Sequence, residues 1–182
     1  MSWLDDRLRM IEAVIDRMED GCLKVAVRTI WRQMDKDAPV SRKYHHNYKG
    51  GLVQHMSEMI RIYAALKKDN LLGLDYDEVI TCIIFHDSGK ATDGYYTWKG
   101  DRCYSKKGIY FPHTHMSLMK WIRIGAENGV DDTTLGHIAH AIEAHHGRAE
   151  WQAFDEPRTK LARFIHELDV LSSQVIAASD PQ

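Results

Sequence analysis

The sequence predicts an all-α fold, a compact bundle of six or seven helices. Three observations predict it. Apolar residues repeat at helical spacing through most of the chain, and glycine or Asn/Asp turns interrupt that repeat at intervals of one helix length. No internal repeat, low-complexity segment or second domain is visible. The 182 residues are enough to bury a full core, and they read as one domain, 1–182. Residues 1–40 are its N-terminal packing helices, and 42–176 carry its chemistry.

Residues 3–34 read as helix, in one or two pieces. Leu4, Leu8, Ile11, Ile15 and Met18 keep the 3.6 period, Gly21 breaks it, and Val25, Val27, Ile30, Trp31 and Met34 resume it. Arg28 and Arg32 are expected in solvent. The string Arg42-Lys-Tyr-His-His-Asn-Tyr-Lys-Gly-Gly-Leu-Val-Gln-His55 leads through Gly50 and Gly51 into a helix over 52–68. Its stripe is Leu52, Met56, Met59, Tyr63 and Leu66, with His55 at the edge. Asp75 or Asp77 caps the next helix.

That helix carries Val79-Ile-Thr-Cys-Ile-Ile-Phe-His-Asp-Ser-Gly-Lys90, an apolar run closed by two metal-type ligands side by side. A lone histidine on an apolar face is usually a core residue with its hydrogen bonds met. An adjacent buried carboxylate is expensive unless paired or bound to a cation, so here ligation is the stronger reading. Residues 91–112 lack a helical period and read as a long loop with a short hairpin. Its Tyr95, Tyr96, Trp98 and Tyr104 either stack a base or pack the loop on itself.

His113-Thr-His115 opens a helix to about Glu127. Residues 133–146 form another, with Leu135, Ile138, Ala139 and Ile142 inward and His145-His146 extending that face, while His137 and His140 point to the surface. A last helix over 158–177 turns Leu161, Phe164, Ile165, Leu168, Leu171 and Val175 inward and sets Asp169 at the stripe's edge.

Composition excludes several classes. Apolar content of 44% and charged content of 27% describe an ordinary globular chain. No stretch approaches the roughly 20 apolar residues of a membrane span, and the N-terminus lacks a signal-peptide pattern. Three widely spaced cysteines, none in a CxxC pair, argue for a reducing cytoplasm and against thiolate zinc. A net charge of −2 speaks against a strongly basic nucleic-acid binder. Histidine is the outlier: of 11, ten lie between 45 and 146, which points to metal.

The ligand-type residues are His55, His86, Asp87, His115, His145, His146 and Asp169, drawn from five segments and in each case on or beside the apolar face. A helical bundle builds a metal site in this way. Imidazole and carboxylate without thiolate suit Mn, Fe, Co, Ni or Zn, one ion or two.

The order His55, His86-Asp87, Asp169 resembles the HD-domain metal-dependent phosphohydrolases, across roughly residues 42–176. The strings from His45 to His55 and from His86 to Lys90, with His145-His-Gly147, are closest to the HD domain of the YhaM-type 3′–5′ exoribonucleases. The resemblance implies a dinuclear site in which Asp87 bridges the ions and His115 and His145 complete the second, with His145 favoured by the family and His146 by periodicity. It implies hydrolysis by metal-activated hydroxide, since two ions bring the pKa of bound water from 15.7 toward about 7. Asp87, Lys90 and His46 are the catalytic candidates. Arg42, Lys43, His45, Lys90, Tyr95, Tyr96 and Trp98 are the candidates for substrate contact.

Those exoribonucleases carry an OB domain ahead of the HD domain, where this sequence has about 40 helical residues. The expected substrate is therefore a nucleotide, as for small HD nucleotidases and phage dATP triphosphohydrolases. A 3′–5′ exonuclease or cyclic-nucleotide phosphodiesterase acting through the same site is the alternative, with single-stranded nucleic acid as its partner. Family members also form homo-oligomers.

Overall fold

The computed structural model describes residues 2–41, 44–67, 72–92, 94–97, 103–147 and 155–176. Among these residues the architecture is all-α, as predicted, with one two-residue-per-strand hairpin. The elements are α1 (Trp3–Asp16), α2 (Gly21–Gln33), α3 (Gly51–Leu66), α4 (Tyr76–Phe85), α5 (Lys106–Tyr110), α6 (His113–Glu127), α7 (Asp132–Ala144) and α8 (Lys160–Val170). A π-helical segment, Leu171–Ile176, follows α8 directly. No helix among the described residues is long and apolar enough to cross a membrane.

The helix ends follow local chemistry. Ser2 and Asp5 form a reciprocal capping box at α1, and Asp20 caps α2 through the Leu23 amide. The two candidate caps of α4 divide the work. Asp75 accepts from the Glu78 amide, whereas Asp77 turns inward and accepts from the Glu19 and Asp20 amides at 2.8 and 2.6 Å. Asp77 thereby ties the α1–α2 turn to α4.

Helix α4 is the centre of the bundle. Val79 through Phe85 are all buried, and α2, α3, α7 and α8 pack around them. Phe85 meets Trp121 of α6 edge-on at 5.1 Å, and the Trp121 indole N–H donates to the Leu135 carbonyl at 2.9 Å.

Three apolar expectations shift. Val25 is 49% exposed because the buried face of α2 runs Leu23, Ala26-Val27, Ile30-Trp31, and Val25 falls off it. Leu66 ends α3 in solvent. The last helix is not one regular piece, and Val175 is exposed in the π-helical segment, whose wider turn moves residues off the α-helical face. The expected long loop holds the hairpin Tyr96–Thr97 with Cys103–Tyr104, and also the short α5.

Candidate metal centre

Helix α4 stops one residue short of the His-Asp pair. His86 is its C-cap, and Asp87 leads into a 3₁₀ turn, Ser88–Lys90. Both side chains are buried. His86 Nδ1 lies 2.9 Å from the Ile83 carbonyl oxygen, which can only accept, so the proton sits on Nδ1 and Nε2 is the free ligand atom. His55 of α3 brings its Nε2 to 3.2 Å from His86 Nε2, and Asp169 of α8 places Oδ1 3.2 Å from the same His55 atom. These three side chains form the first group of candidate ligand atoms.

Asp87, His113, His145 and His146 form the second group. His145 caps the C-terminus of α7 and repeats the device of His86, with Nδ1 2.6 Å from the Ile142 carbonyl. His113, the first residue of α6, sets its Nε2 3.3 Å from His146 Nε2.

Asp87 stands between the groups. Its Oδ2 lies 3.5 Å from His86 Nε2, while its Oδ1 lies 3.3 Å from His113 Nε2 and 3.7 Å from His145 Nε2. Lys90 sets its ammonium 2.7 Å from Oδ2.

The electrostatics suit ligation. Burial drives His113 and His145 well below the usual imidazole range and lowers His86 as well, so all three present neutral nitrogens at pH 7. Burial works against ionisation of Asp87, and the Lys90 ammonium beside it works the other way, with the carboxyl held well below the usual carboxylate range. Burial likewise opposes ionisation of Asp169, and in the absence of a cation a hydrogen bond from His55 Nε2 outweighs it.

Two orphaned atoms test the fit to a cation. Asp87 Oδ1 and His145 Nε2 are buried, and neither has a hydrogen-bond partner. With the Nδ1 proton of His145 directed to Ile142, two lone pairs face each other across 3.7 Å. Such a pair is costly unless a cation lies between them. With only imidazole and carboxylate donors, the set fits a divalent ion of the Mn to Zn series.

Most of the ligand residues read from sequence come together: His55, His86, Asp87, His145, His146 and Asp169. One does not. His115 is half-buried and outside both groups, and His113 stands in its place. The inward face of α6 runs His113, Ser117, Lys120-Trp121 and Ile124, whereas His115 is in register with the exposed Met119 and Ile122. That register is present in the sequence and selects His113.

The catalytic candidate His46 meets Glu58. His46 has a left-handed φ of 48°, is 4% exposed, and holds Nε2 3.0 Å from the buried Glu58 carboxylate. Its ring lies 5.7 Å from that of His55. His45 is half-buried with its ring 6.0 Å from that of His55, and burial, then His55 and Lys90, push it down to about 4. A neutral imidazole at pH 7 is not a ready acid for a leaving group.

Tyr95 is 5% exposed and packs edge-on to His113 at 6.2 Å, against Gly108, so it forms part of the wall of the centre. Arg42, Lys43 and Trp98 lie outside the described residues, and of Tyr96 the structure describes only the backbone. Sequence reasoning missed Glu58 and Ser172, whose polar side chains are buried beside His55.

The HD-domain family profile matches residues 52–174. Among curated proteins, the chain is similar to the 3′–5′ exoribonuclease YhaM of Bacillus velezensis, 28% identical over 140 residues covering 77% of this chain and 44% of the relative. It is 27% identical to YhaM of Bacillus subtilis, covering 76% and 43%, and 24% identical to that of Listeria welshimeri, covering 91% and 53%. The chain thus spans about half the length of the curated relatives it matches. No solved structure matches it.

Proposed function

The chain belongs to the HD-domain family of metal-dependent phosphohydrolases, and from that premise we propose that it hydrolyses phosphodiester bonds at the 3′ end of single-stranded RNA. The observation that carries the chemistry is Asp87, with one oxygen toward His86 and the other toward His113 and His145. His55, His86, Asp169 and Asp87 would hold one divalent ion, and Asp87, His113, His145 and His146 a second. Two such ions supply an activated water at neutral pH and clamp the phosphoryl oxygens.

The chain's own residues prepare that chemistry. His86 and His145 are held with Nε2 outward by backbone carbonyls. Lys90 sets a positive charge beside the place where negative charge develops on the phosphoryl group. Tyr44, 80% exposed, precedes His45, and Tyr110, 73% exposed, lies three residues before His113. Exposed aromatic rings of this kind are stacking surfaces for bases.

The names of the relatives favour RNA over the deoxynucleoside triphosphate expected from sequence. Hydrolysis of a nucleoside triphosphate or monophosphate is the second reading, favoured by a net charge of −2 that gives little long-range support for a polyanion. Ion-exchange product analysis separates them. Protein loaded in turn with Mn, Co and Zn is incubated with NTPs, dNTPs, NMPs, and a short RNA and DNA. Mononucleotides released from RNA support the proposal. Nucleoside with triphosphate, or nucleoside with phosphate, overturns it in favour of the second reading.

A further inference from the structure

We propose that Ser172 and Glu58 set the direction of the hydrogen bond at His55, so that Nδ1 holds the proton and Nε2 is offered when metal is bound. The inference rests on the metal reading above.

The direction follows from a count of protons. Ser172 Oγ lies 2.7 Å from Glu58 Oε2 and 2.9 Å from His55 Nδ1, and all three side chains are buried. A hydroxyl has one hydrogen. Burial opposes ionisation of Glu58, but its contacts with His46, Ser172 and Gln54 outweigh it and bring the carboxyl down to about 2, so at neutral pH it only accepts. Ser172 therefore donates to Glu58, and its oxygen can only accept from His55. Asp169 Oδ1, 3.2 Å from Nε2, competes for the one imidazole proton until a cation takes that carboxylate; the proton then belongs on Nδ1, and the Nε2 lone pair faces the metal with His86 and Asp169.

His86 and His145 need no such device, because a backbone carbonyl never donates. His55 faces a hydroxyl, which can serve in either sense, and only Glu58 removes the ambiguity. Glu58 is itself pinned, with Gln54 donating to Oε1 at 2.8 Å and His46 Nε2 at 3.0 Å from Oε2. Ser172 stands three residues beyond Asp169, where α8 opens into the π-helical segment, so one short stretch presents both a ligand and its neighbour's lock. Ser172 and Glu58 are positioning residues.

The direct test is long-range ¹H–¹⁵N NMR of the zinc-loaded protein. The expected His55 signal has Nδ1 protonated; a proton on Nε2 with Nδ1 bare overturns the inference. Variants supply the second measurement, zinc affinity by competition with a chromophoric chelator. In Glu58→Gln the amide oxygen keeps the Gln54 contact and the amide N–H faces Ser172. The hydroxyl is thereby released to donate to Nδ1, and affinity falls ~10–100-fold. Ser172→Ala falls likewise, while Ser172→Thr keeps the hydroxyl and wild-type affinity. Unchanged affinity in both Glu58→Gln and Ser172→Ala overturns the inference. Failure of the wild-type protein to bind any divalent ion overturns the metal reading instead.

Discussion

A Cβ placed on Gly89 would stand 2.3 Å from the carbonyl oxygen of His113. Two backbones, the turn after His86-Asp87 and the first residue of α6, meet at a distance only glycine permits. The Gly89 amide adds a bond of 2.9 Å to Ser117 Oγ. This approach sets the 3.3 Å between Asp87 and His113. The glycine in His86-Asp-Ser-Gly-Lys90 is therefore part of the centre although it bears no ligand.

Gly89→Ala must push α6 away from the turn. The expected cost is about 1–3 kcal/mol of stability, the range for overpacking a close contact. Metal bound by the Asp87 and His113 group is expected to fall with it. Thermal unfolding and metal content after dialysis check both, and a variant with wild-type metal content contradicts the account.

His113 and His115 separate in a direct comparison. His113→Ala is expected to lower turnover at least ~100-fold through loss of a ligand, whereas His115→Ala, on the outer register of α6, stays within about twofold of wild type. Steady-state rates on the RNA substrate check this, and the reverse order restores the sequence expectation.

Glu58 shapes the acid limb of stability. Its folded pKa of about 2 lies below the model-peptide value of 4.5, so its contribution is fully present above about pH 4.5. It is lost as the pH falls from there toward 2, because the unfolded state takes up the proton first. Denaturant unfolding of metal-free protein between pH 6 and 2 is expected to show a shallower decline in Glu58→Gln than in wild type. Parallel curves would remove Glu58 from the acid response.

Much of this was legible in the sequence because the residues involved obey helical spacing. His55 beside the Leu52, Met56 and Met59 stripe, and Asp169 beside Ile165 and Leu168, land where periodicity sets them. His113 was legible in principle, through Trp121 and Ile124, but reading the His-Thr-His pair without that register selects its neighbour. Glu58 and Ser172 were not legible. Residues 114 positions apart give no local sign that they share a hydrogen bond, and a buried glutamate on a helix looks in sequence like a solvated one. The place of His46 was not legible for a related reason, since its left-handed φ marks a backbone reversal that spacing cannot report.

The central claim is that Asp87 joins two metal sites in one hydrolytic centre, and metal content tests it most directly. Wild type, His55→Ala, His113→Ala and Asp87→Ala are loaded with Mn, dialysed and analysed by inductively coupled plasma mass spectrometry, beside turnover on RNA. The account predicts two ions per chain in wild type, one in each histidine variant, and loss of both ions and of turnover in Asp87→Ala. An Asp87→Ala protein that keeps its metal and its activity would contradict it.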